Sequence, residues 1–467
     1  MPPTVALLLW LVLLLALLRF DPAKEPGTSW ALWLPAIWIF FVATRLPSQW
    51  LGGQGSVVAA QALEEGNPLD RTIFSLLILL GTVILVTRSF NWGGFFTRNL
   101  FLMAFLSFAL VSVCWSDFPF VALKRWFRDL GNYLMILVAL SDPQPLEAIR
   151  TLLRRLGYLL IPLSVLLIKY FPELGRHYDS WTGIASVDGA TTSKNMLGVV
   201  CLICGLFFVW DTVTRWSDRK ELRTKRIILV NFVFLAMTLW TLNLADSATS
   251  RVCLALGCLV IWAARSRWGR RRDSLMKVFL PACFCLYLLL AFGFDFNGEI
   301  ASHLGRNPTL TDRTIIWKSV LSVNTNPLVG TGYESFWLGS RLEMVWQAAG
   351  HVNEAHNGYL EVYLNLGLIG LALLIAFVIT SYRHICQMLT GGSILASFSL
   401  ALWTILLFYN MTEAAFKSQL MWLVFLLIAI TVPDRVGNLA RSASVPIAAR
   451  ATSRSPILPL ETNGSRR

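Results

Sequence analysis

Charge is scarce in this sequence. Asp, Glu, Lys and Arg supply only 14% of its 467 residues, whereas 55% are hydrophobic, and the mean hydropathy is +0.60. One soluble core cannot bury that much apolar surface, which excludes a soluble protein and predicts an integral membrane protein. No Asp-x-Asp pair occurs anywhere, which argues against a divalent-metal nucleotide-sugar enzyme. Histidine is rare, at 5 residues. His351 and His356 stand five apart, about 140° around a helix, so they do not form the paired ligands of a zinc helix. All 8 cysteines lie in or beside apolar segments; Cys201-x-x-Cys204 has no matching pair and suits small hydrophobic packing. No disulfide, no metal and no cofactor are expected. The first 20 residues lack a basic start and a small-residue cleavage site, and they read as a retained span.

What is present is a succession of apolar runs, beginning near residues 5 to 19 and ending near 418 to 432. The expected fold is an all-α polytopic membrane protein of about 12–13 transmembrane helices. The net charge of +13 falls mainly in short connections: Arg150, Arg154 and Arg155 in one, Arg215 to Arg226 in another, Arg265 to Lys277 in a third. That is the positive-inside pattern of cytoplasmic loops, and nucleic acid is not an expected partner. Threading between these anchors puts residues 45 to 71, 172 to 194, 244 to 250, 295 to 357 and 410 to 417 on the outer face. The expected organisation is a membrane domain over residues 1–433, with a large outer loop at 295–357, and a disordered cytoplasmic tail at 434–467.

Four polar features on the outer side can carry chemistry. The last long loop holds Arg313, the turn-rich run Asn326 to Tyr333, His351 and His356. Thr311 is placed to cap a helix there, and an apolar-faced segment from Phe336 to Trp346 reads as a lid on the membrane surface. Asn357, Glu361 and Asn365 recur every four residues, a polar stripe entering an apolar helix. A lone histidine is usually structural; one at the head of such a stripe, facing cations, suits a general base. A second loop holds Arg176, His177 and, before a span, Lys194 with Asn195; Lys194 also suits anchoring of a helix end. In a third, Ser247, Thr249 and Ser250 precede Arg251, the donors and fixed cation of a phosphate site, although a snorkelling arginine has the same pattern. Finally, Lys124 and Arg128 share one helix face inside an apolar run, where Asp129 can pair with one of them.

At these residues the chain resembles the O-antigen ligase and polysaccharide polymerase family, especially its exopolysaccharide-production branch. The resemblance rests on EEGNPLDR near Glu64, WSDFPFVALKRWFRD from Trp115, GRHYDSWTG and SKNMLG around Arg176 to Gly198, SATSR ending at Arg251, and DRTIIWKSV, NPLVGTGYESFW and AHNGYLEVYLNLGLIGL between Asp312 and Leu371. It implies a GT-C-like, metal-independent, inverting glycosyltransferase of the bacterial inner membrane, multi-pass, with its active face periplasmic. The implied donor is an undecaprenyl-diphosphate-linked glycan and the acceptor a sugar or lipid-linked sugar. Membrane lipid and chain-length regulator proteins are further implied partners. Carried across by position, His356 is the implied base, Arg176 and Arg251 the implied diphosphate ligands, and Arg313 matches the arginine ahead of the loop's Trp. Lys124, Arg128, Lys194, His351, Asn357 and Glu361 complete the expected substrate-binding set. Many relatives carry a histidine before the seventh span; here the stretch is Thr192-Ser193-Lys194-Asn195, so no role for that histidine transfers. The alternative from another class is a flippase for the same lipid-linked glycan, which calls for charges near the midplane of several helices.

Overall fold

The computed structural model describes the chain except for residues 24–26, 53–65, 89, 179–184, 267–268, 270–272, 294–312, 418 and 433–467. The expected tail at 434–467, the first part of the 295–357 loop and the Thr311 cap therefore lie outside the described residues. The helices are α1 (Pro3–Phe20), α2 (Trp33–Ala43), α3 (Pro68–Thr87), α4 (Trp92–Arg98), α5 (Leu100–Val111), α6 (Pro119–Leu140), α7 (Pro145–Tyr170), α8 (Lys194–Arg215), α9 (Leu222–Ala245), α10 (Ala248–Arg265), α11 (Asp273–Gly293), α12 (Arg313–Ser322), α13 (Gly339–Ala349), α14 (Gly358–Thr390), α15 (Ala396–Tyr409) and α16 (Leu420–Ala429). A short antiparallel hairpin, β1 (Arg176–Tyr178) with β2 (Ala185–Val187), pairs Arg176 with Val187.

Every apolar run lies within or overlaps one of these helices, and the molecule is an all-α polytopic membrane protein. Among the described residues, seven helices are long and apolar enough to cross a membrane, four further apolar helices are shorter, and α4 with α5 form a pair bent by 88°. Helix α6 meets the length but carries Lys124, Arg125, Arg128 and Asp129 in its first half. Local chemistry sets many of the starts. Proline opens α1, α3, α6 and α7, where its missing N–H costs nothing. Asn67, Ser193, Ser247 and Asn357 cap α3, α8, α10 and α14 through their side-chain oxygens.

The core is centred on α16, every residue of which is buried. It is surrounded by α2, α6, α8, α14 and α15, as an all-round apolar helix must be. A polar knot ties α7, α8 and α9. Buried Asp211 pairs with Arg154 and, at 3.1 Å, with Arg215, and Asn231 donates to it at 2.9 Å. This corrects the reading of Arg154 as a connection residue: α7 begins at Pro145, and Arg154 is 3% exposed.

The break in α14 is what joins the loop to the membrane body. Gly367 has φ 64 and ψ −165, a conformation open essentially only to glycine. The carbonyls and amides freed by the break are taken by the 327–332 turn. Thr331 N–H donates to Leu364 O at 3.1 Å and Gly332 N–H to Asn365 O at 2.9 Å; Leu368 and Ile369 N–H donate to Pro327 O and Leu328 O at 2.9 and 3.1 Å. The backbones approach so closely that a Cβ at Gly330 would lie 2.5 Å from Asn365 C, and one at Gly367 2.3 Å from Leu328 C. Gly367→Ala is therefore expected to cost at least the ~1–3 kcal/mol of a strained residue, read as a lower melting temperature of the detergent-purified protein. An unchanged melt would show that the junction is not rigid.

The loop also has its own small core of Ile316, Val320, Phe336, Trp337, Leu342, Val345 and Ala355, packed on Leu364. The segment expected to lie as a lid on the membrane surface instead buries Phe336, Trp337, Leu342 and Val345 in that core. Hydrophobic spacing marks an apolar face but not what covers it.

Candidate active site

His356 sits in the turn that enters α14, clamped on both sides. Ala355 N–H donates to Glu361 Oε2 at 3.0 Å and Ala355 O accepts from Trp317 Nε1 at 2.9 Å. Asn357 caps the helix by accepting from Tyr359 and Leu360 N–H, both at 3.1 Å, and Gly358 N–H donates to Asn410 O at 2.8 Å. Between these anchors His356 is held at φ 47, a left-handed conformation uncommon outside glycine.

Its Nδ1 lies 3.0 Å from Glu354 Oε1 and 3.5 Å from Glu413 Oε2. Neither contact has the angle of an aligned hydrogen bond; they are charge contacts. Burial works against the imidazolium, but the two carboxylates outweigh it and push the pKa up to about 9. The Glu354 carboxyl, although partly desolvated, is held below its usual value by His356, with Lys417 and Arg313 adding to the effect.

Glu413 is the hub. Its Oε1 accepts from Arg313 Nη2 at 2.8 Å and from Asn195 Nδ2 at 3.0 Å. One carboxylate thus joins the starts of α8 and α12 to the histidine before α14. The start of α10 is tied to the same segment, because Thr249 Oγ1 lies 3.1 Å from Thr412 Oγ1. Arg251 itself donates to Asp246 Oδ1 at 2.9 Å and to Asn243 O at 3.0 Å, and its side chain is 39% exposed. On the α6 side, Arg128 Nε donates to Asp129 Oδ1 at 3.1 Å and Tyr333 OH to Asp129 Oδ2 at 2.9 Å. Arg125 reaches Glu334 O, so the cationic segment of α6 is packed against the loop.

The sequence-expected residues therefore divide. Arg313 and His356 meet directly at Glu413, and Arg128 is joined to the loop through Asp129. Lys124 lies over the Phe120 ring at 5.1 Å and lines a groove beside Arg128. Arg176 is exposed on β1 and Lys194 is exposed at the first turn of α8. His351 stands against the Trp346 ring, with centroids 4.7 Å apart, and not beside His356.

Glu361 and Asn365 of the polar stripe bond to the loop. Glu361, 2% exposed, accepts from Trp337 Nε1 at 2.7 Å and pairs with Lys417 Nζ at 2.6 Å. Asn365 accepts from Phe336 N–H at 3.1 Å and donates to Glu361 O at 2.9 Å. Sequence reasoning missed Glu354, Glu413 and Lys417. The available signal was an acid and a lysine in the 410–417 turn, an outer-face connection otherwise poor in charge.

One donor atom each from Glu354, His356 and Glu413 lie within 4.8 Å of one another, close enough to share a cation. The geometry offers such an ion a competitor already in place, since Arg313 holds one Glu413 oxygen.

Residues 231–375 match the family model described as O-antigen ligase, a segment that contains Arg251, Arg313, Glu354 and His356. The chain is 28% identical over 301 residues to the exopolysaccharide production protein ExoQ of Rhizobium meliloti, covering 62% of this chain and 66% of that protein. It is 24% identical over 213 residues to a protein of Rickettsia typhi with a provisional polysaccharide-ligase assignment, covering 44% of this chain and 52% of that one. The chain thus spans just under two thirds and about half of the lengths of these curated relatives. The matched segment contains His356, Glu354 and Arg313 but not Glu413, Asn195 or Lys417; the chain is a polytopic membrane protein whose residues 231–375 resemble the O-antigen ligase family.

Proposed function

We propose that the protein is an inverting glycosyltransferase of the bacterial inner membrane. In this reading it transfers or polymerises undecaprenyl-diphosphate-linked glycan onto a sugar hydroxyl at the periplasmic face, in exopolysaccharide or O-antigen synthesis. The observation that carries it is His356 held between two carboxylates beside Arg313, at the mouth of a membrane-embedded body. The carboxylates at Nδ1 favour a proton on that nitrogen, which leaves Nε2 to act as the base. The acceptor oxygen attacks the anomeric carbon as its proton passes to Nε2, and the bond to the diphosphate oxygen breaks with its electron pair leaving on the diphosphate. Arg251 and Arg176 are assigned to that leaving charge, with Arg313 and Lys194 contributing to the cationic surroundings.

The groove along α6 supports a lipid-linked donor. It has about 520 Å³ of free volume, with Phe74, Ile78 and Phe127 on its walls and Lys124, Arg125 and Arg128 among its lining residues. A second cavity shares Phe74 and Arg128 with it and reaches Thr192 and Met196, next to the Asn195 that donates to Glu413. An apolar trough with a cationic edge fits an isoprenoid chain with a diphosphate head.

Purified protein mixed with lipid-linked oligosaccharide in detergent should give longer glycan and free lipid diphosphate. A flippase gives neither, and that outcome would remove the enzymatic reading. The same assay in EDTA is expected to run at an unchanged rate. Loss of activity restored by one divalent cation would assign the Glu354, His356 and Glu413 cluster to a metal instead.

A further inference from the structure

A second cavity of about 340 Å³ lies far from His356, between α14, the α4–α5 bend and the residues after α16. Arg383 lies some 25 residues along α14 from its start, roughly 38 Å along the contour at 1.5 Å per residue. By the distribution of Lys and Arg this is the cytoplasmic end of the molecule.

The cavity is built, not incidental. Asn99, buried at the bend, donates to Thr431 O at 2.9 Å and accepts from Thr431 N–H at 3.0 Å, which fixes one wall to the end of α16. The opposite wall is the last third of α14. It contributes Arg383, His384 and Gln387, with Arg98 coming from α4, and among the described residues the lining holds no Asp or Glu. Thr380 and Ser381 donate their hydroxyls to carbonyls of their own helix, so they satisfy themselves. Among the described residues, neither Arg98 nor Arg383 makes a hydrogen bond or ion pair. Two exposed arginines from distant parts of the chain thus line one hollow, with no acidic partner among the described residues. Unlike the arginines of the α7–α8–α9 knot, each of which meets Asp211, these two meet no carboxylate among the described residues.

We propose that this cavity binds a phosphate group, supplied by the headgroup of an anionic phospholipid of the inner leaflet. Guanidinium groups match phosphate oxygens in a two-point geometry, and the negative surface of the cytoplasmic leaflet concentrates such headgroups at this depth. The phosphodiester takes Arg98 and Arg383, and Gln387 is placed to donate to a headgroup oxygen. This site does not depend on the transferase reading, because it lies at the other end of α14 and shares no residue with the His356 cluster.

The test is lipid binding to the purified full-length protein by native mass spectrometry, with phosphatidylglycerol and phosphatidylcholine in equal amounts. Wild type should retain phosphatidylglycerol preferentially, and Arg98→Gln/Arg383→Gln should lose about five-fold per arginine removed. Arg383→Glu should reverse the preference. Melting in phosphatidylcholine alone, expected to be equal for all variants, reports that the fold is intact; should a variant melt early, the wild-type preference alone decides. A third arm adds inorganic phosphate: if it displaces the lipid at millimolar concentration, the site takes a soluble anion and the lipid assignment falls. Equal retention of both lipids by wild type, or an unchanged preference in the double variant, overturns the proposal.

Discussion

His356→Asn is expected to lower glycan transfer by about 10²- to 10⁴-fold, the usual contribution of a general base, while the protein stays folded and inserted. Asparagine is the informative replacement because it tolerates the left-handed backbone that His356 adopts at φ 47, so loss of activity is separated from strain. The pH dependence tests the same residue more sharply. With its pKa at about 9, the imidazole is protonated at neutral pH in the free protein, and kcat/KM should rise with pH until it levels off above about 9. Replacing Glu413 with Gln removes one of the charges that raise this pKa, so the rising limb should move to lower pH. A flat profile in wild type, or normal polymer from the Asn variant, would remove His356 from the reaction. The linkage to stability has a definite sign. The folded pKa lies above the ~6.5 of a free imidazole, so the stabilisation from the Glu354 and Glu413 contacts is fully present below about pH 6.5 and is lost as pH rises through about 9.

Lys417→Met should be the most destabilising single change near the site. Lys417 Nζ lies 2.6 Å from Glu361 Oε1, and the Glu361 side chain is only 3% exposed. Burial opposes the Lys417 charge, yet Glu361, together with Glu334 and Glu354, holds its pKa above the ordinary lysine value. Removing one partner strands a buried carboxylate, at a cost of about 3–5 kcal/mol. The consequence reaches the catalytic turn, because Glu361 also holds Ala355 N–H. Lys417→Met/Glu361→Gln, which removes both charges, should recover much of the loss. Thermal melting of the detergent-purified variants reads both effects. A single variant that melts like wild type, or a double variant worse than the single, would show that the pair is not the support of the turn.

These two predictions differ in how far the sequence could have led to them. His356 is visible as the residue where a polar loop meets an apolar helix, and the tertiary structure keeps it there. Lys417 is not visible in the same way. In the sequence it is one charge at the end of a short turn, and only the packing of α16 among α2, α6, α8, α14 and α15 brings that turn beneath the loop. The Asn357, Glu361 and Asn365 stripe marks the other limit. Its four-residue spacing places Glu361 and Asn365 on one face of α14 with Asn357 as the cap, but spacing does not reveal that Glu361 meets Trp337 and Lys417 or that Asn365 meets Phe336. Glu361 and Asn365 thereby hold the loop.

The sequence by itself determined the membrane class, the extent of the apolar helices, the loop that carries Arg313 and His356, and the proline and side-chain caps that start many of the helices. Hydrophobic periodicity and capping are local, acting over a few neighbouring residues, and they can be read in order along the chain. Only the tertiary structure decided which charges meet. Glu413 joins Asn195, Arg313 and His356 from three separate stretches, and it is this meeting, in a partly buried setting where charges are poorly screened, that sets the protonation of the histidine. Such electrostatics depend on distance through space and on what surrounds the pair, neither of which is written in sequence spacing.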